Sequence, residues 1–177
     1  SGRQAEALDA YRSALAKAPE DPDLMLRVGS AEVSNGHAAQ AKEMLKKVLM
    51  KRPNSAEVNH FMGRALLLEA TNLSEALRYL KRAVELDAHR PEYHLYVAWA
   101  ANDAGQLPLA QDEVRAALDI DKSLGDAWWQ KGVLLQKQGA VRDAEKSLKK
   151  ALDLKPSRVE AHATLAECYE DQQRWLE

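Results

Sequence analysis

The sequence predicts an all-α chain of about ten antiparallel helices laid out as a repeat. Three observations carry this. Eight glycines and six prolines are few for 177 residues, and nearly all fall between long stretches of Ala, Leu, Glu, Lys and Gln, the strong helix formers. An alanine recurs at Ala7, Ala41, Ala76, Ala110 and Ala144, followed seven residues later by Ala14, Val48, Ala83, Ala117 and Ala151, with Tyr11, Leu45, Leu80, Val114 and Leu148 midway. Twelve or thirteen residues before the alanines of the complete units stand Gly29, Gly63, Ala98 and Gly132, with Ala166 at the matching place in the last partial copy. Small residues at such sites let two helix axes come within ~8 Å of each other.

Taken in order, residues 1–21 supply the second helix of an incomplete unit. Segments 22–55, 56–90, 91–124 and 125–158 are complete helix pairs, each of 34 residues except the second, which has one extra, and 159–177 supply a further first helix. The whole chain reads as one repeat domain. Gly36, Gly105 and Gly139 close first helices where a left-handed residue is wanted, and Pro108 opens a second helix where its missing N–H does little harm. The extra residue falls in Glu69-Ala70-Thr71-Asn72-Leu73, after which Ser74-Glu75 is expected to cap the next helix. The outermost helices lack a covering neighbour, so weak self-association through uncapped ends is expected.

This pattern resembles the tetratricopeptide repeat (TPR) family over essentially the whole chain. The family's bulky first-helix position is filled by Met25, Asn59, His94, Trp128 and His162, and its Leu-Gly pair by Val28-Gly29, Met62-Gly63, Val97-Ala98, Lys131-Gly132 and Leu165-Ala166. Pro19, Pro53 and Pro156 end second helices. Lys131 departs from the usual Leu, and Ala88 and Lys122 depart from the terminal Pro, which weakens local packing without altering the architecture. The resemblance implies a right-handed helical-repeat solenoid with first helices on the concave face and second helices on the convex one.

Several functions are excluded. Lys plus Arg number 25 against 27 Asp plus Glu, for a net charge of −2, so no global positive field holds a nucleic acid or an anionic membrane. No run of about 18 apolar residues suits membrane insertion. Ser1-Gly2-Arg3-Gln4 has neither an initiator Met nor a signal-peptide plan, as expected of a piece of a longer protein. The lone Cys168 allows no internal disulfide and reads as a small core residue. There is no GxGxxG, P-loop, GxSxG or HExxH motif. His37, His60, His89, His94 and His162 form no spaced pair on one helical face, and His94 and His162 read as half-buried packing residues. Asp112-Glu113 and Glu170-Asp171 are adjacent on their helices and point apart. No catalytic residue, cofactor or metal site is expected, and the chain does not read as an enzyme.

By the division the resemblance implies, the first helices sum to −7 and the remainder to +5. The basic residues Lys42, Lys46, Lys47, Lys51 and Arg52, and again Lys146, Lys149, Lys150 and Lys155, alternate with Glu43, Asp143, Glu145 and Asp153, as solubilising charge does. Asp23, Glu57, Glu92, Asp126 and Glu160 each fall in a first turn, where a carboxylate complements the helix dipole by ~0.3–1 kcal/mol. The groove-facing positions of the family assign a partner-binding set of Leu26, Ser30, His60, Phe61, Arg64, Leu95, Tyr96, Trp99, Asn102, Trp129, Val133 and Gln136. Spacings of three and four put Tyr96 with Trp99, and Trp129 with Val133, on one stripe. No three consecutive units supply the Lys-Asn, Asn, Lys-Arg set by which some relatives hold a terminal carboxylate. The expected function is an adaptor or scaffold that binds a protein or peptide segment with apolar or aromatic anchors and modest positive charge. A structural spacer that stacks end to end is the alternative. An RNA-binding repeat is weaker still, because the first helices are acidic.

Overall fold

A computed structural model describes residues 2–70 and 72–174. Thr71 of the irregular turn, Ser1, and residues 175–177 of the final partial unit lie outside the described residues. The ten described helices are α1 (Gly2–Lys17), α2 (Pro22–Ser34), α3 (Ala38–Lys51), α4 (Ala56–Glu69), α5 (Leu73–Leu86), α6 (Pro91–Asp103), α7 (Leu107–Ile120), α8 (Gly125–Lys137), α9 (Val141–Leu154) and α10 (Val159–Arg174). The chain divides into two compact units, Ser1–Ala88 with α1–α5 and His89–Glu177 with α6–α10. Within each unit the closest packing is between the two helices of a pair: α2 with α3, α4 with α5, α6 with α7 and α8 with α9.

One joint, repeated, holds each pair together. A β-carbon added to Gly29 would lie 2.9 Å from the Leu45 side chain. At Gly63 it would lie 2.5 Å from Leu80 Cγ, and at Gly132 2.6 Å from Leu148 Cγ. Leu45, Leu80 and Leu148 are fully buried, so the glycine is what admits a leucine there. In the third pair the equivalent positions hold Ala98 and Val114, both buried. A methyl gained on one helix is matched by a shorter side chain on the other, which conserves volume.

Helix ends follow local chemistry. Gly36, Gly105 and Gly139 adopt φ values of +80°, +72° and +75°. Ala70 occupies the same place after α4 with φ 51°, a conformation that strains a non-glycine residue by ~1–2 kcal/mol. Pro108 sits in the first turn of α7. The expected Ser74-Glu75 cap is not the one formed. Helix α5 already begins at Leu73, and Asn72 Oδ1 accepts the Glu75 N–H at 3.0 Å, leaving Ser74 inside the first turn. Asp21 caps α2 by accepting the N–H groups of Asp23 (2.8 Å) and Leu24 (3.2 Å).

The bulky first-helix position has a second use. Asn59 Nδ2 donates to the Pro53 carbonyl at 3.3 Å and Trp128 Nε1 to the Lys122 carbonyl at 2.8 Å, while His162 Nε2 lies 2.9 Å from the Pro156 carbonyl. In each case the side chain reaches back six residues and fastens the turn leading into its own helix. His94 at this position is buried, with Nδ1 2.7 Å from the Glu113 carboxylate on α7. His162 is exposed rather than half-buried, and its structural role lies in the turn bond.

Candidate functional site

In the second unit, α6 and α8 bring three of the sequence-assigned aromatic residues together. Tyr96 and Trp99, one turn apart on α6, meet edge-to-face with ring centroids 4.6 Å apart and planes at 72°. Trp129 on α8 meets Trp99 in the same manner at 6.3 Å and 71°. Edge-to-face contact sets the positive rim of one ring against the negative face of the next. All three side chains are half-buried. Trp129 also packs against the Ala144, Leu148 and Cys168 core cluster and donates Nε1–H to Thr164 Oγ1 at 3.4 Å. Tryptophan at this site therefore both supports the helix stack and lines the surface.

Polar side chains continue the row. Lys137 Nζ donates to Asn102 Oδ1 at 2.7 Å, tying α8 to α6, and Gln136 Nε2 donates to Glu167 at 3.2 Å, tying α8 to α10. Val133 is half-buried, and Leu95 is buried with 3% of its surface exposed. The guanidinium of Arg158 lies 4.0 Å from the Trp129 ring centroid and bonds Asp126. Sequence reasoning passed over Arg158 and Thr164. Arg158 belongs to the turn before α10, and only its place immediately ahead of a first helix signals a role. Three donors on these elements are buried and make no hydrogen bond, Trp99 Nε1, Gln130 Nε2 and Arg158 Nε, the last lying 3.8 Å from the Glu160 carboxylate. An unsatisfied buried donor of this kind raises the free energy of the unliganded surface by ~1–3 kcal/mol.

The first unit presents a smaller set. Phe61 on α4 is half-buried, meets His60 edge-on at 5.3 Å, and lies under the Arg64 guanidinium at 5.1 Å. His60 and Leu26 are buried at 4% and 8%, so they support this surface from within. Burial pushes the His60 pKa down to about 3, aided by the Arg64 charge, and the imidazole is neutral at physiological pH. Ser30 turns its hydroxyl back to the Arg27 carbonyl at 3.0 Å.

Two of the first-turn acids are engaged in ion pairs. Asp23 pairs with Arg52 at 2.5 Å, and Asp126 with Lys155 at 3.3 Å as well as with Arg158. These two first-turn acids are thus paired with basic residues at the end of their own repeat. Several basic residues of the second helices are paired too: Lys42 with Glu69 (2.5 Å), Lys51 with Glu20 (2.6 Å) and Lys149 with Glu145 (2.6 Å). These lysines hold the Glu20 and Glu145 carboxyls below the usual carboxylate range. Among the described residues no group of three or more His, Cys, Asp or Glu side chains is placed to hold a metal ion, and no helix is long and apolar enough to cross a membrane.

Tetratricopeptide repeat family models match residues 1–65, 62–125 and 129–177. A search of curated proteins finds no match. Among solved structures, TTC0263, a thermophilic TPR protein of Thermus thermophilus, is similar with a TM-score of 0.81 at 20% identity, over 95% of this chain and 91% of that one. A chain of the Cut9–Hcn1 hetero-tetramer of the APC/C is similar with a TM-score of 0.88 at 15% identity, over 98% of this chain and 34% of that one. YrrB, described as a TPR protein with an unusual peptide-binding site, is similar with a TM-score of 0.68 at 26% identity, over 92% of this chain and 84% of that one.

Proposed function

The chain belongs to the tetratricopeptide repeat family of protein-interaction modules, and from that premise we propose that the α6–α8 surface of its second unit binds a protein or peptide segment through apolar or aromatic anchors. The observation that carries this reading is the edge-to-face row Tyr96–Trp99–Trp129, half-buried and continued by Asn102, Val133 and Gln136. Aromatic side chains of this kind are enriched among binding hot spots, and one that a partner fully desolvates contributes ~1.5–3 kcal/mol. The peptide-binding description of YrrB supports the class of ligand.

Charge plays the smaller part. Asp126 is already paired with Lys155 and Arg158, and exposed ion pairs are worth only ~0–1 kcal/mol, so charge tunes encounter more than it holds the complex. Phe61 with Arg64 offers a separate, weaker anchor point in the first unit. The test begins with an unbiased pull-down, the parent protein compared with a Trp99→Ala, Trp129→Ala bait. With the partner in hand, Trp99→Ala is expected to weaken binding by about 2 kcal/mol, roughly thirtyfold. Unchanged affinity in a Trp99→Ala protein that circular dichroism shows to be folded defeats the reading, as does loss of binding when the C-terminus of the partner is amidated.

A further inference from the structure

Helix α8 has another stripe, formed by Trp128, Lys131 and Leu135, and these residues line two adjoining cavities. One, of about 630 Å³, opens against α7, where Val114 and Leu118 with Leu134 complete its apolar lining. The other, of about 490 Å³, opens against α9 beside Ser147. Both sizes fall within the range of ~300–1,000 Å³ typical of ligand sites.

The repeat explains why the hollow occurs here. Lys131 stands where the other complete repeats place Val28, Met62 and Val97, all buried. Its ammonium turns out over the Trp128 ring, 5.0 Å from the centroid, instead of filling the space a hydrophobe would occupy. Ser147 stands where the other repeats have Met44, Tyr79 and Glu113. Two substitutions in one repeat therefore open the same face.

The charges around the hollow are unbalanced. Arg115 pairs with Asp112, and Lys146 with Asp143 at 2.9 Å. Among the described residues Lys122, Lys131 and Lys150, which also line these cavities, make no ion pair, and Asp119 is the one remaining carboxylate of the lining. We propose that this slot is a second docking site, distinct from the aromatic row, for an acidic segment of a partner protein. The segment inserts one large apolar side chain beside Trp128 and sets its carboxylates against Lys122, Lys131 and Lys150. The apolar insertion supplies most of the affinity, and the lysines select the sign of the flanking charge.

The test is a nuclear magnetic resonance titration of the ¹⁵N-labelled protein with the blocked peptide acetyl-Asp-Glu-Phe-Glu-Asp-amide. Saturable shifts are expected at the Trp128 indole N–H and at Leu135 and Ser147. They should be absent with acetyl-Lys-Arg-Phe-Arg-Lys-amide and at least tenfold weaker when Ala replaces Phe. Lys131→Leu, which restores the hydrophobe of the other repeats, and Ser147→Met, which restores the residue of the first, should each abolish the shifts in a protein that remains folded. Trp99→Ala should leave them intact, whatever becomes of the aromatic row. The proposal is overturned by the absence of saturable shifts, by equal binding of the basic peptide, by undiminished binding in both filled variants, or by loss of binding in Trp99→Ala.

Discussion

The second repeat, residues 56–90, and the fourth, residues 125–158, share their joint and differ on their faces. In each, a glycine on the first helix receives a fully buried leucine from the second, Gly63 with Leu80 and Gly132 with Leu148. In each, a side chain at the bulky position reaches back six residues to fasten the preceding turn, Asn59 in one and Trp128 in the other. Around this common frame, Met62 and Tyr79 of the second repeat become Lys131 and Ser147 in the fourth, buried His60 becomes half-buried Trp129, and left-handed Ala70 becomes Gly139. Helix pairing depends on a few close contacts between helices, while the remaining stripes of the first helix are free to carry recognition.

The largest expected effect breaks what the two repeats share. Gly63→Ala places a β-carbon 2.5 Å from Leu80 Cγ and 3.2 Å from the Ala76 carbonyl, and this overpacking should destabilise the protein by ~1–3 kcal/mol in urea unfolding. Adding Leu80→Val reproduces the Ala98–Val114 arrangement and should restore much of the loss. If the double variant is no more stable than Gly63→Ala, the volume-matching account of the joint is wrong.

The next effect sharpens a difference. Since the His60 pKa falls from 6.5 to about 3 on folding, the unfolded chain takes up a proton across that interval which the folded chain refuses. The contribution is complete above pH 6.5 and is lost as the pH falls toward 3, at up to ~1.4 kcal/mol per pH unit. His60→Leu, which copies Leu26 and Leu95, should flatten this slope between pH 6 and 4.5, where most carboxylates are still ionised. Identical slopes for parent and variant would remove His60 from the acid response. The smallest effect makes the second repeat like the fourth: Ala70→Gly relieves the φ 51° residue and should raise stability by ~0.5–1 kcal/mol, a modest rise in thermal midpoint.

Much of this fold is legible in the residues alone. The spacing of Gly29, Gly63 and Gly132 from Leu45, Leu80 and Leu148 marks which helices pair, and Gly36, Gly105 and Gly139 mark where first helices stop. Features that depend on where a helix starts by one or two residues were not legible: Asn72 displaced Ser74 as a cap because both have a side-chain oxygen able to do the work. Contacts across elements were hidden as well. Nothing in the local sequence ties Asp126 to Arg158 or His94 to Glu113, since each pairing joins elements that only the packed fold brings together. The edge-to-face packing of Tyr96 with Trp99 was foreshadowed by their spacing along α6, whereas the meeting of Trp99 with Trp129 depends on how α6 and α8 stack. Lys131 was visible as a departure from the repeat, but the hollow beside it takes side chains from α7, α8 and α9 together.

Cys168 is the only cysteine in the chain, and it lies fully buried where α10 meets Ala144 and Leu148 of α9. Burial raises its pKa, and the neighbouring carboxylates Asp171, Glu167 and Glu145 raise it further. Reaction at sulfur requires both a thiolate and access, and the closed structure withholds both. Electrophiles and oxidants that reach the closed structure therefore find no reactive thiol at Cys168. Chemistry at this thiol waits until α10 lifts from α9, so its rate is that of an accessible cysteine scaled down by how seldom that helix opens.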